Sequence, residues 1–185
     1  MVQQKQNLLK NKNIVVGVTG GIACYKSCEL VRLLDGEGAN VRVVMTKSAK
    51  EFVTPMTFQA LSRNPVHDSM FDLTQESLMG HITLADNADL IIVAPATADF
   101  IARVAHGFCD DLLSTILCVT RAPVFFAPSM NVHMYENKIV QKNISTLKNH
   151  GYRFIDPTSG SLACGYEGMG RMEEPVKIVE AIKKK

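Results

Sequence analysis

A chain of 185 residues, 46% hydrophobic and 21% charged, is long enough to bury one sizeable core, and by size scaling such a domain hides roughly 70% of the surface its unfolded chain exposes. A net charge of +2 leaves no basic footprint for nucleic acid or an anionic membrane, and the most apolar region is interrupted by Arg121 and Pro123, so no bilayer-spanning segment is expected. Five scattered cysteines, Cys24, Cys28, Cys109, Cys118 and Cys164, contain no CxxC pair and follow no apolar leader, which fits free thiols in a reducing cytoplasm.

The β-branched run in NIVVGVTGG reads as a buried strand, Ile14 to Val18, closed by a glycine turn. IACYKSCELVRLLDGEG repeats apolar residues at helical spacing (Ile22, Leu30, Leu33, Leu34) and stops at Gly36 and Gly38. NVRVVMT is a second strand, PMTFQALSR a helix, PVHDSMF a weak extended piece and LMGHITLADNA a helix. DLIIVAP has no charge between Asp89 and Pro95, as a strand covered on both faces requires. TADFIARVAHG and DDLLSTILCVT read as helices, APVFFAP as a strand, NKIVQKNISTLKNHG as a helix, YRFIDP as a last strand and EPVKIVEAIKK as a closing helix.

Strands alternating with helices need crossover connections, which predict a doubly wound, mostly parallel α/β sheet with helices on both faces, Rossmann-like or flavodoxin-like. No repeat or linker divides the chain, so one domain is expected over residues 1–185, with an ordered core of about 13–183. Ligands of such sheets sit beyond the carboxyl ends of the strands, which directs attention to the loops after Val18, Val44, Val93 and Phe126.

The first of these loops, GVTGGIACYK, sets Gly20 and Gly21 before a helix, where backbone amides can meet an anion; its spacing is neither GxGxxG nor a P-loop, so a phosphate cradle and a plain turn both fit. Thr46 and Ser48 offer hydroxyls that also suit helix caps. The small residues and the hydroxyl of APATADF, with Thr97 at a strand-to-helix junction, leave room for a flat ring or a phosphate, or allow close helix packing. Asn131, between Met130 and Met134, reads as an N-cap or a ligand contact. His81 opens a helix whose dipole disfavours imidazolium, which suits a neutral base, whereas adjacent Asp110 and Asp111 cannot share a helix face and suit capping. The glycine-rich strip SLACGYEGMGRM carries one thiol, Cys164, in a setting that no packed core would need.

Together and in this order, GVTGGIACYK, GHITLADNADLIIVAPATADFIARVAHGFCDDLLST, PSMNVHMY and ACGYEGMGRM resemble the flavin-containing cysteine decarboxylases, in particular the branch that acts on phosphopantothenoylcysteine in coenzyme A biosynthesis. The motif PxMNxxM plus an aromatic is matched by Pro128, Met130, Asn131, Met134 and Tyr135, and the likeness runs from Ile14 to Ile182. Tyr135, Ser129 and Cys24 replace residues more usual in the family, none of them a reacting group.

The resemblance implies FMN as cofactor and no metal, with Gly20, Gly21 and Thr46 at its phosphate and Phe52, Pro95, Ala96, Thr97, Ala98, Ser129 and Met130 along the rest of it. It implies that His81 acts as base, that Asn131 holds the substrate carboxylate, and that Cys164, on a flap that closes over the substrate, supplies the final proton. Met134, Ala163, Gly165 and Arg171 would join Asn131 around the substrate. The implied reaction converts 4′-phosphopantothenoylcysteine to 4′-phosphopantetheine. Relatives form trimers, sometimes stacked as dodecamers, with flavin sites at subunit interfaces, and often carry a phosphopantothenate–cysteine ligase half. The alternatives are a peptidyl-cysteine oxidative decarboxylase, which needs no thiol at Cys164; a non-catalytic flavin-binding regulatory relative; and a flavin prenyltransferase, disfavoured by the PxMNxxM and flap motifs.

Overall fold

A computed structural model describes residues 8–70, 80–161, 165 and 167–184. Six strands form one parallel sheet: β1 (Asn13–Val18), β2 (Asn40–Met45), β3 (Val66–His67), β4 (Leu90–Ala96), β5 (Val124–Pro128) and β6 (Arg153–Phe154), in the spatial order β3-β2-β1-β4-β5-β6. The order runs outward from β1 in one direction and from β4 in the other, so the chain reverses between these two central strands. Such a reversal leaves a crevice at the carboxyl ends of the strands, because the loops on either side turn away to opposite faces.

The helices follow from the strand pattern. On one face, α1 (Cys24–Gly36), α2 (Pro55–Ser62) and α8 (Pro175–Lys183) cover Ile14, Val16, Val18, Val41, Val43 and Met45. On the other, α3 (Gly80–Asp86), α4 (Ala98–Ala105), α5 (Leu112–Val119) and α7 (Lys138–Asn149) cover Val15, Val44, Ile91, Val93 and Phe126. The alternation of residues between these two sets is the period of a strand with both faces buried, and β4 is buried throughout. In α1 the buried positions Leu30, Val31 and Leu34 form the apolar stripe, and each such side chain contributes about 1.5–3 kcal/mol through burial.

Local signals set the boundaries. Pro55 and Pro175 occupy first turns, where a missing amide costs nothing. Asp111 caps α5 in a capping box with Ser114, as the sequence predicts for one of the adjacent aspartates. Ile22 lies before α1 and is exposed, so the helix starts later than its apolar spacing suggests. The expected helix LMGHITLADNA is described from Gly80, its first two residues lying outside the described residues.

Among the described residues, a strand pair that the sequence does not predict leads into and lies within the glycine-rich strip. β7 (Thr158–Ser161) and β8 (Glu167–Arg171) form a separate antiparallel ribbon, which packs against the short helix α6 (Val132–Glu136) that follows β5.

Candidate active site

The loops after β1, β2, β4 and β5 enclose a cavity of about 800 Å3 at the reversal point of the sheet. That volume is within the usual span for small-molecule sites, about 300–1,000 Å3. Thr19 joins two of its walls: its Oγ1 donates to the Pro95 carbonyl at 2.7 Å and accepts from the Thr97 amide at 3.1 Å. Thr97 in turn caps α4, accepting from the Phe100 amide at 3.2 Å. Gly20 permits the close approach of the next wall, since a Cβ there would lie 2.3 Å from the Cβ of Ser48.

Thr46 occupies the N-cap position of a 3-10 turn, Lys47–Glu51, but makes no capping bond. Its Oγ1 is buried and meets no hydrogen-bond partner among the described residues. An unsatisfied buried hydroxyl costs about 1–3 kcal/mol, and a bound acceptor would remove that cost. The residues leading into α1 and the first turn of α4 open onto the same space, where helix amide ends carry a partial positive charge, and Lys47 adds a full one. This donor set, with room for a ring system, fits a phosphate-bearing flavin such as FMN.

The far wall is Ser129, Met130, Asn131 and Met134. Asn131 caps α6 through Oδ1, which accepts from the His133 amide at 2.8 Å, and this fixes the plane of the side-chain amide. The Met130 amide donates to the Gly170 carbonyl at 2.9 Å, fastening β8 to the cavity. Gly170 has φ +151°, and a Cβ there would lie 2.3 Å from the Met130 carbonyl, so no side chain fits. At the rim, Arg103 bonds Asp110 and, at 2.9 Å, Asp99. Asp110 and Asp99 raise the guanidinium pKa above its ordinary value, and Arg103 holds the Asp110 carboxyl below the usual carboxylate range.

The sequence candidates divide as follows. Gly20, Gly21, Thr46, Thr97, Ala98, Ser129, Met130, Asn131 and Met134 meet around the cavity. Pro95 and Ala96 do not line it; both are buried within the end of β4, and Pro95 acts on the site only through its carbonyl bond to Thr19. Phe52 follows the 3-10 turn, is 49% exposed and lies off the wall, because the turn carries it outward. Arg171 also lies off the wall and pairs with Glu174 at 3.1 Å; Gly165 is exposed with φ +83°. Ala163 and Cys164 lie outside the described residues.

His81 stands apart. It lines a second cavity, also about 800 Å3, against the sheet face bearing Val15 and Arg42, together with His67, Asp68 and Asn87. Among the described residues the two cavities share no lining residue; the chain passes from one to the other at Asp111 and Leu112. Sequence reasoning missed Arg103, Lys47 and the cavity-facing role of Asp110. The i,i+4 spacing of Asp99 and Arg103 was the available signal for the first of these.

Comparison with known proteins matches this architecture. Over 96% of its length the chain is 53% identical to the coenzyme A biosynthesis bifunctional protein CoaBC of Bacillus subtilis, of which the match covers 44%; the chain thus spans less than half the length of such curated relatives. A solved structure of a cysteine-to-serine PPC decarboxylase mutant complexed with pantothenoylaminoethenethiol is 28% identical, with TM-score 0.85 over 95% of this chain and 98% of the other. The FMN-dependent cysteine decarboxylase SpaF is 26% identical, with TM-score 0.80 over 96% and 99%. The family model described as Flavoprotein matches residues 2–185, and with the crevice that these loops build, the chain belongs to the Flavoprotein family.

Proposed function

We propose that this chain catalyses the FMN-dependent decarboxylation of 4′-phosphopantothenoylcysteine to 4′-phosphopantetheine. The observation that carries the reading is one cavity holding both a buried, unpartnered Thr46 hydroxyl and an Asn131 amide oriented by its cap, in a chain 53% identical to a coenzyme A biosynthesis protein. FMN, when bound, supplies a reversible two-electron sink for the substrate's cysteine side chain, without which loss of CO2 would leave an unstabilised carbanion.

The residues of the chain then have distinct tasks. Gly20, Gly21 and Thr46 hold the phosphate, with Thr46 Oγ1 donating to it, and Thr97, Ala98, Ser129 and Met130 shape the remainder. Asn131 accepts through Oδ1 in its cap, and its role towards the substrate carboxylate is that of a donor through Nδ2. A neutral amide orients that carboxylate without stabilising it so strongly that its departure becomes costly. Met134 flanks it, and β8 is fastened to the same wall through Gly170; Ala163, Gly165 and Arg171 stay assigned to the substrate by the resemblance alone. His81 accepts the proton lost as the cysteine side chain is oxidised, and Cys164 donates a proton to the enethiolate left after CO2 departs.

His81 and Asn131 line different cavities of one chain, which favours an assembly in which one copy supplies each; a trimer, or a dodecamer of stacked trimers, is proposed. Exposed Ile22, Tyr25, Phe52 and Met56 offer apolar area for such contacts. A phosphopantothenate–cysteine ligase activity is the proposed companion. No helix among the described residues is long and apolar enough to cross a membrane, in keeping with the cytoplasmic setting proposed.

The test is CO2 release from phosphopantothenoylcysteine by the purified chain and its Cys164→Ser variant. The variant is expected to release CO2 and accumulate the unsaturated thiol; formation of normal 4′-phosphopantetheine by it would remove the role given to Cys164.

A further inference from the structure

Cys109 and Cys118 have no part in the chemistry above, yet their sulfurs are 2.7 Å apart and both residues are exposed. The contact is built by the scaffold. Cys118 lies in the last turn of α5, three residues after Thr115, so the two share a helix face. Thr115 Oγ1 shares its hydrogen between the Asp111 carbonyl at 2.8 Å and the Cys109 carbonyl at 3.2 Å, which holds the loop before α5 against that same face. The loop arrives there by a turn at Gly107, with φ +71°. Two thiols so held need only a small further approach to reach the disulfide bond length of about 2.05 Å.

We propose that Cys109 and Cys118 form a reversible dithiol–disulfide site, oxidised by low-molecular-weight disulfides of the glutathione class. The Cys109 thiolate attacks one sulfur of the small disulfide, forming a mixed disulfide and expelling one small thiolate. Cys118 then gives up its proton, attacks the Cys109 sulfur and expels the second small thiolate. Two protein thiols are oxidised and one small disulfide is reduced to two small thiols, so atoms and electrons balance. Burial, and then the neighbouring Cys109, raise the Cys118 pKa to about 11, which keeps it a thiol at neutral pH and leaves the first attack to Cys109. The crosslink would brace the loop that continues into Asp110 and Asp111 on the rim of the large cavity.

The site can be tested on the full chain, because Cys109 and Cys118 fall in one tryptic peptide, residues 104–121, set off by Arg103 and Arg121. After reduction, removal of reductant and exposure to oxidised glutathione, that peptide is expected to lose two hydrogens and both sites of alkylation, and dithiothreitol to restore them. In Cys118→Ser the same peptide should retain one glutathione on Cys109. A wild-type peptide that keeps two alkylatable thiols, or that stops at glutathione adducts without the internal crosslink, overturns the proposal; neither result bears on flavin binding or decarboxylation.

Discussion

The two large cavities are similar in size and are built from different parts of the sheet. The one at the strand ends is assembled from four loops tied to one another by Thr19, Thr97, Gly20 and Gly170, and it is lined by Thr46, whose buried hydroxyl has no partner among the described residues. The one bearing His81 lies on the flank of the sheet against β1 and β2, where Arg42, His67, Asp68 and Asn87 meet apolar Val15, Met70 and Leu84. The contrast indicates that a single chain builds a binding site but separates it from its proposed base.

The sharpest way to break that contrast is complementation. His81→Asn and Asn131→Ala should each lower decarboxylation by about 10²–10⁴-fold, the usual size of a lost acid–base or positioning group. Dissociated, mixed and reassembled, the two variants should regain measurable activity, because mixed assemblies contain sites with both native residues. No recovery in demonstrably mixed oligomers would mean that His81 and Asn131 act within one chain. A smaller effect is expected at Gly20, where Ala would collide with Ser48 and cost about 1–3 kcal/mol, read as a lowered unfolding midpoint together with weakened FMN binding.

Thr46→Val separates binding from stability. It should weaken FMN binding by about tenfold while leaving the flavin-free protein as stable as wild type or slightly more so, since a buried hydroxyl without a partner is removed. Fluorescence titration and thermal unfolding without flavin check the two halves. The smallest effect concerns the anchor of the ribbon. Lys26, buried in α1, donates to the Met172 carbonyl at 3.0 Å and to Glu174 at 2.8 Å, and this bond holds the Glu174 carboxyl below its ordinary range. A lowered folded-state pKa gives stability that is present above the unfolded value, about 4.3, and is lost as pH falls through the lowered one. Glu174→Gln should therefore unfold at a slightly lower temperature at pH 7, and the difference should close in acid.

The parallel sheet was legible because β1 and β4 are short β-branched runs closed by glycine or proline, and burial on both faces leaves no charged residue in β4. The β7–β8 ribbon was not, since TSGS and EGMGR have little strand propensity; antiparallel pairing and the fit of Gly170 under Met130 hold them instead. At the site, Gly20, Thr46, Thr97 and Asn131 could be found because loops after parallel strands converge. That Phe52 and Arg171 lie off this wall was not legible, since sequence gives a residue's order along a loop and not the side to which it turns. The separation of His81 has the same origin: a helix start is visible in sequence, but the cavity beside it is made by β1, β2 and β3.

The most direct measurement is the visible spectrum of the purified chain with FMN, followed by assay with phosphopantothenoylcysteine. A bound, yellow flavin in stoichiometric amount and flavin-dependent release of CO2 are predicted. A folded, colourless protein that takes up no FMN and leaves the substrate intact would contradict the account at its root.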